Sequence, residues 1–124
     1  MVFNEETIRT ISGIGEFTTS DEIIGEGVNA EEIKVYKVDA ISPADKADSI
    51  DYVDEGPRAF LIIRKNTIEV RTDATLRNLL KDKYESVMDS RYFGRGGIEI
   101  VNSGQLTDEE TIDLIRLSYD LSKD

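Results

Sequence analysis

Ile8, Ile11 and Ile14 recur every third residue and lay one apolar face on a helix. Asn4 ahead of Glu5-Glu6-Thr7 supplies an N-cap oxygen and first-turn carboxylates at the positive end of the helix dipole. Gly13 and Gly15 end that helix. Residues 16–30 follow no single period: Phe17 and Ile23-Ile24 suit a short strand, while Gly25 and Gly27 weaken any element there. From Ile33 to Val38 apolar and polar side chains alternate, as in a half-buried strand. Ala59 to Arg64 and Thr67 to Arg71 are β-branched and apolar, and Lys65-Asn66 between them suits a tight hairpin because Asn tolerates positive φ. Asp73 caps a second helix with a buried stripe of Leu76, Leu79, Leu80 and Tyr84, extended by Val87. Arg91-Tyr92-Phe93 and Ile98 to Val101 flank Gly94-Arg95-Gly96-Gly97, a second hairpin with a glycine-rich tip, and Asn102-Ser103-Gly104 is a turn. Thr107 and Glu110 form a capping box ahead of a last helix, whose broad apolar face holds Ile112, Leu114, Ile115, Leu117, Tyr119 and Leu121. The order α-β(3)-α-β(2)-α predicts a two-layer α+β domain, an antiparallel sheet covered by helices.

A chain of 124 residues is one domain by size, spanning 1–124, and buries about two thirds of its unfolded surface. It has neither Cys nor His, which excludes disulfides, thiolate or imidazole metal ligands and Ser-His triads. Catalysis would need paired carboxylates, a lysine or a tyrosine, and no such pair stands out among so many acids. Gly13-Ile14-Gly15 and Gly25-Glu26-Gly27 lack the rest of a nucleotide-binding fingerprint. The expectation is a protein that is not an enzyme and uses no cofactor. Residues 42–57, with Ser42-Pro43, five acids and Gly56-Pro57, read as an exposed acidic insertion with room for one helical turn. Asp45, Asp48, Asp51 and Asp54 recur there every third residue, but without the alternate-position ligands, Gly and terminal Glu of an EF-hand. A solvated acidic loop is expected, and no metal. The longest apolar run, Ala59 to Ile63, is too short for a bilayer, and the first six residues have no basic stretch of a signal peptide. A cytoplasmic protein without a membrane partner is the expectation.

The net charge of −11 is unevenly spread. Residues 1–57 carry fourteen acids against four bases, whereas residues 58–105 carry nine bases against six acids. The summed field repels a polyanion, yet screening at about 8–10 Å leaves room for a local basic face. Arg77, Lys81, Lys83, Arg91 and Arg95 are therefore the candidate nucleic-acid contacts, with Tyr92 and Phe93 as candidate stacking or wedge residues. The competing reading has the glycines making a tight turn and the arginines pairing with this chain's carboxylates.

The stretch Ile68 to Leu76 looks like a strand ending in a helix cap, Leu79-Leu80 follows on the helix, and Ser90-Arg91-Tyr92 occupies a turn. Thr107 to Glu110 and Leu114 to Tyr119 then form a closing helix that carries Ser118-Tyr119. In this order and spacing, over residues 68–119, the chain resembles the MmcQ/YjbR family. Where that family carries Asn-Lys-x-His-Trp after the turn, this chain has Gly94-Arg95-Gly96-Gly97-Ile98 and keeps only the positive charge, at Arg95. The resemblance implies a two-layer α+β fold, similar in layout to bacterial secretion chaperones, and DNA binding through a double wing. It implies no enzyme.

Two functions are expected from different classes. One is a DNA-binding module that contacts phosphates through the five basic residues named above. The other is an acidic interaction module that holds a basic or extended polypeptide, or a second copy of itself as a homodimer. The placement of the bases of residues 58–105 separates them: one contiguous exposed face favours DNA, and dispersal among acids favours a polypeptide.

Overall fold

Residues 2–39, 57–102 and 104–123 are described in a computed structural model. The elements run α1 (Glu5–Arg9), β1 (Thr18–Ile24), β2 (Glu31–Val38), β3 (Arg58–Ile63), β4 (Thr67–Arg71), α2 (Ala74–Lys83), β5 (Val87–Ser90), β6 (Gly94–Val101) and α3 (Asp108–Lys123). The strands form one antiparallel sheet in the order β1-β2-β3-β4-β6-β5. An α+β fold with helices on an antiparallel sheet is as the sequence predicts. The ambiguous segment 16–30 resolves into a strand, β1, which makes four strands ahead of α2 where the expected order had three.

Period-two alternation gives the sheet two different faces. On one, Tyr36, Leu61, Ile68, Val70, Ile98 and Ile100 meet Ile8 and Ile11 and the Leu114, Ile115 and Tyr119 stripe of α3. Burying these side chains drives the two layers together. Phe60 packs edge-on against Tyr119, with ring centres 5.1 Å apart, and against Phe17 and Tyr36. On the other face Ile33, Val35, Ala59 and Ile62 cluster under Tyr92 and Phe93, and no helix residue joins them among the described residues. The turn after β5 covers this second face.

Local capping accounts for the helix starts. Asn4 and Thr7 cap α1 reciprocally, Asp73 accepts from the Leu76 N–H at 2.7 Å, and the Thr107–Glu110 box opens α3. Three expectations need correction. α1 ends at Arg9, before Gly13, although Ile11 still reaches the core. In the α2 stripe, Leu79 is 61% exposed, because Leu76, Leu80 and Tyr84, spaced by four, take the inward positions, and Val87 lies beyond the helix in β5. Lys65-Asn66 does close the β3–β4 hairpin, with the Arg64 N–H donating to the Thr67 carbonyl at 2.9 Å, but no described non-glycine residue takes positive φ. The acidic insertion and its four aspartates lie outside the described residues, Pro57 excepted.

The glycine tip is also corrected. Arg91-Tyr92-Phe93 makes the turn, and Gly94 to Gly97 lie within β6. Gly94, with φ +60°, starts that strand in a conformation that favours glycine. A side chain on Gly97 would collide with the Val70 carbonyl and lie 2.9 Å from Phe93 Cβ. Glycine is required there so that the turn can fold onto the sheet.

α3 is tied to the sheet where the β3–β4 ladder stops. The register shift in β2–β3 turns both Phe60 and Leu61 to the helical side, and ladder pairing with β4 ends at Leu61–Val70. The fully buried Ser118 hydroxyl joins the two freed groups: it accepts from the Arg71 N–H at 2.7 Å and donates to the Phe60 carbonyl at 2.5 Å. The Ser122 hydroxyl donates to the Ala59 carbonyl. Ser118→Ala leaves a buried N–H and a buried C=O unpaired and is expected to cost about 1–3 kcal/mol, read as a lower urea midpoint at unchanged slope. An unchanged midpoint would contradict this role.

Candidate functional site

Three of the five predicted basic residues meet. Arg77 and Lys81 on α2 and Arg95 on β6 line a shallow cleft of about 430 Å³ together with Asp89, Ser90 and Gly94. Lys81 Nζ lies 2.7 Å from Asp89 Oδ1, and that bond, with the Lys81 and Arg77 charges, holds the Asp89 carboxyl below its ordinary range despite some desolvation. Arg77 donates from Nη2 to the Asn78 side chain at 3.1 Å, while its Nε is buried without a partner. Arg95 is exposed. Lys83 points instead to the Tyr84 ring, 5.2 Å from its centre. Arg91 lies on the second face of the sheet.

That second face holds an ionic network that sequence reasoning missed. Glu69 on β4 and Glu99 on β6 are register partners, and both side chains are almost wholly buried. Like charges placed directly opposite on neighbouring strands destabilise a sheet unless cations separate them. Two arginines do so. Arg64 gives Nε to Glu69 at 2.6 Å and Nη1 to Glu31 at 2.9 Å. Arg91 grips Glu99 with two bonds, 2.9 and 2.7 Å, and lies 3.6 Å from Glu31. The Thr67 hydroxyl donates to Glu99 at 2.8 Å. Glu69 also accepts from the Ser90 hydroxyl at 2.7 Å and the Tyr92 N–H at 2.8 Å, and Ser90 in turn accepts from the Phe93 N–H. One buried carboxylate thus fixes the turn that lays Tyr92 and Phe93 over the second core.

The electrostatics follow from these contacts. Burial pushes the Glu99 carboxyl up, but the bonds from Arg91 and Thr67 and the charges of Arg91 and Arg64 outweigh it and hold the group below its ordinary range. The paired bonds to Glu99 raise Arg91 further above its usual value. Burial and the Arg58 charge hold Arg71 low; it donates to the Ala59 carbonyl at 2.7 Å and lies 4.8 Å over the Phe93 ring. The signal that could have found the network is local. Glu69 and Glu99 each sit between β-branched residues in a strand, where a carboxylate needs a cation once both faces are covered.

Chemically, the cleft offers cations to an anion beside an acid that already engages one of them. The network is a closed structural device whose hydrogen-bonding groups face each other. Among the described residues, no group of three or more Asp or Glu is placed to hold a metal ion, and no helix is long and apolar enough to cross a membrane. Comparison of the chain with family models, with curated proteins and with solved structures returns no match.

Arg64→Ala removes the cation paired with the fully buried Glu69 carboxylate and is expected to cost about 3–5 kcal/mol in urea unfolding. A loss below about 1 kcal/mol, the range of exposed pairs, would contradict the burial argument. The pH dependence has a definite sign. The folded pKa of Glu99 lies below the ordinary 4.5, so the unfolded chain takes up this proton first and protonation favours unfolding. The contribution is complete above about pH 4.5 and is lost as the pH falls through the folded value. Asp89 and Glu110 are shifted down too and act in the same direction, Glu110 through its bonds from the Thr107 N–H and the Tyr84 hydroxyl. The urea midpoint is therefore expected to hold from neutral pH to about 5 and then fall, less steeply in Arg91→Ala. A midpoint rising on acidification would contradict the assignment.

Proposed function

We propose that this domain is a non-enzymatic, acidic interaction module that binds a basic or extended polypeptide. The observation that carries this reading is the dispersal of the basic residues among acids. Arg64 and Arg91 are held by Glu31, Glu69 and Glu99, Lys81 is held by Asp89, and Arg71 is tied to a carbonyl and a ring. Each of these cations already engages a partner within the chain, Arg64 deep in the fold and Lys81 and Arg91 nearer solvent, and the field felt by a binding partner is that of a chain with net charge −11. Such a field steers cationic partners and repels polyanions.

The fold supports the same reading. An antiparallel sheet covered by helices is the two-layer α+β layout that the resemblance to the MmcQ/YjbR family and to secretion chaperones implies, although four strands and not three precede α2. Ser118 and Tyr119, part of that resemblance, bind the closing helix to the Phe60 carbonyl of β3 and to the Glu16 carbonyl ahead of β1. The second reading is DNA binding, as the family resemblance implies, and the cleft of Arg77, Lys81 and Arg95 is the observation in its favour.

Fluorescence anisotropy of a labelled DNA duplex and of labelled poly-lysine, titrated with the protein at low salt, separates the two. Saturable binding of poly-lysine and none of the duplex is the expected result. Duplex binding that weakens steeply with salt and disappears in an Arg77→Ala/Arg95→Ala variant would overturn the proposal and support the wing.

A further inference from the structure

The sheet has two outer edges, and they differ. β5 is short and carries α2 on one side, whereas β1 presents seven residues and, among the described residues, pairs only with β2. Three of the seven large apolar side chains exposed in the described structure cluster here: Ile23 (73% exposed), Ile24 and the fully exposed Val28 just beyond. An edge strand usually bears charges or irregularities that discourage pairing. This edge combines acids with uncovered isoleucines, which solvation alone does not explain.

The register specifies what such an edge would accept. Asp21 and Ile23 share a face with Thr19, which is opposite Tyr36, while Glu22 and Ile24 share the face of Ser20, opposite Val35. Each face therefore offers one acid followed by one isoleucine along the strand. Asp21 and Glu22 touch only Lys34 and Lys37 of β2 among described basic residues, at 3.8 and 3.9 Å and largely in solvent. Pairs this long and exposed are weak, so both carboxylates remain available to an incoming cation.

We propose that the outer edge of β1 docks an extended basic polypeptide by strand addition. The inference rests on the polypeptide-binding reading above and names its surface. Main-chain hydrogen bonds supply affinity and the alternating side chains supply selectivity. Antiparallel addition, as at every other pairing in this sheet, calls for a strand that reads apolar-apolar-basic-basic from N to C. Charge decides against a second copy. Antiparallel pairing of two β1 strands about their middle residue sets Asp21 against Asp21, and like charges directly opposite are unfavourable.

The test is a titration of the full-length ¹⁵N-labelled protein with a synthetic octapeptide carrying Ile-Val followed by Lys-Arg, read by amide chemical shifts. Perturbations confined to β1 and the following turn are expected, with binding at least tenfold weaker in Asp21→Lys/Glu22→Lys. The same variant should gain affinity for the peptide with Glu-Glu in place of Lys-Arg, which also shows that it remains folded. Methylation of alternate peptide amides on the pairing side should abolish binding. Peptide binding that maps elsewhere, or that ignores both the charge swap and amide methylation, overturns the edge and leaves the polypeptide-binding reading standing. Failure of this peptide and of poly-lysine to bind overturns both. Self-association at β1, seen as concentration-dependent broadening together with a dimer in sedimentation, overturns the edge as a polypeptide site.

Discussion

Two carboxylates that face each other across β4 and β6 set the terms for the sheet's second face. Glu69 and Glu99 are register partners and almost wholly buried, an arrangement that is unstable without cations between them. Arg64 and Arg91 supply those cations, and Glu31 on β2 ties both guanidinium groups to a third strand. The network therefore spans β2, the β3–β4 turn, β4 and β6. Its polar remainder is satisfied by Thr67, Ser90 and the Tyr92 N–H. Removing one member would leave a buried charge unpaired, which explains how a charged cluster can hold a structure together without being a strong source of stability in itself.

The same contacts position the turn and constrain the function. With Glu69 holding Ser90 and Tyr92, the Arg91–Phe93 turn folds down onto Ile33, Val35, Ala59 and Ile62, and Gly97 gives it the room. Among the described residues, helices cover one side of the sheet and the Arg91–Phe93 turn lies over the apolar cluster of the other. The guanidinium groups that close it are then occupied. The chain carries a net charge of −11, and among the described residues strand β1 forms one edge of the sheet while a small basic cleft lies near the other.

Local signals were legible in the sequence and long-range ones were not. The caps at Asn4, Asp73 and Thr107 need only neighbouring residues, and each forms as its spacing indicates. Strands β2, β3, β4 and β6 carry enough β-branched residues to be read directly. β1 carries Thr18-Thr19-Ser20-Asp21-Glu22, without alternation, and its strand state comes from pairing with β2. The glycines of β6 were read as a flexible tip because the reason for Gly97 lies in Val70 and Phe93, distant in sequence or across the turn. For the candidate site, carboxylates could be foreseen as partners of the arginines. Which ones required the register, since Arg64 meets Glu31 thirty-three positions away. Arg91 had the composition of a ligand contact and the geometry of a structural one.

On these contacts, Arg64 and Arg91 belong to the fold and not to a ligand surface. Nitrogen-resolved NMR of the arginine Nε–H groups tests it most directly, with exchange rates measured alone and after addition of duplex DNA. Slow exchange is expected for the buried Arg64 group, and the shifts of both groups should stay unchanged when DNA is present. A shift of the Arg91 group on adding DNA would be the opposite result and would return that residue to a nucleic-acid interface.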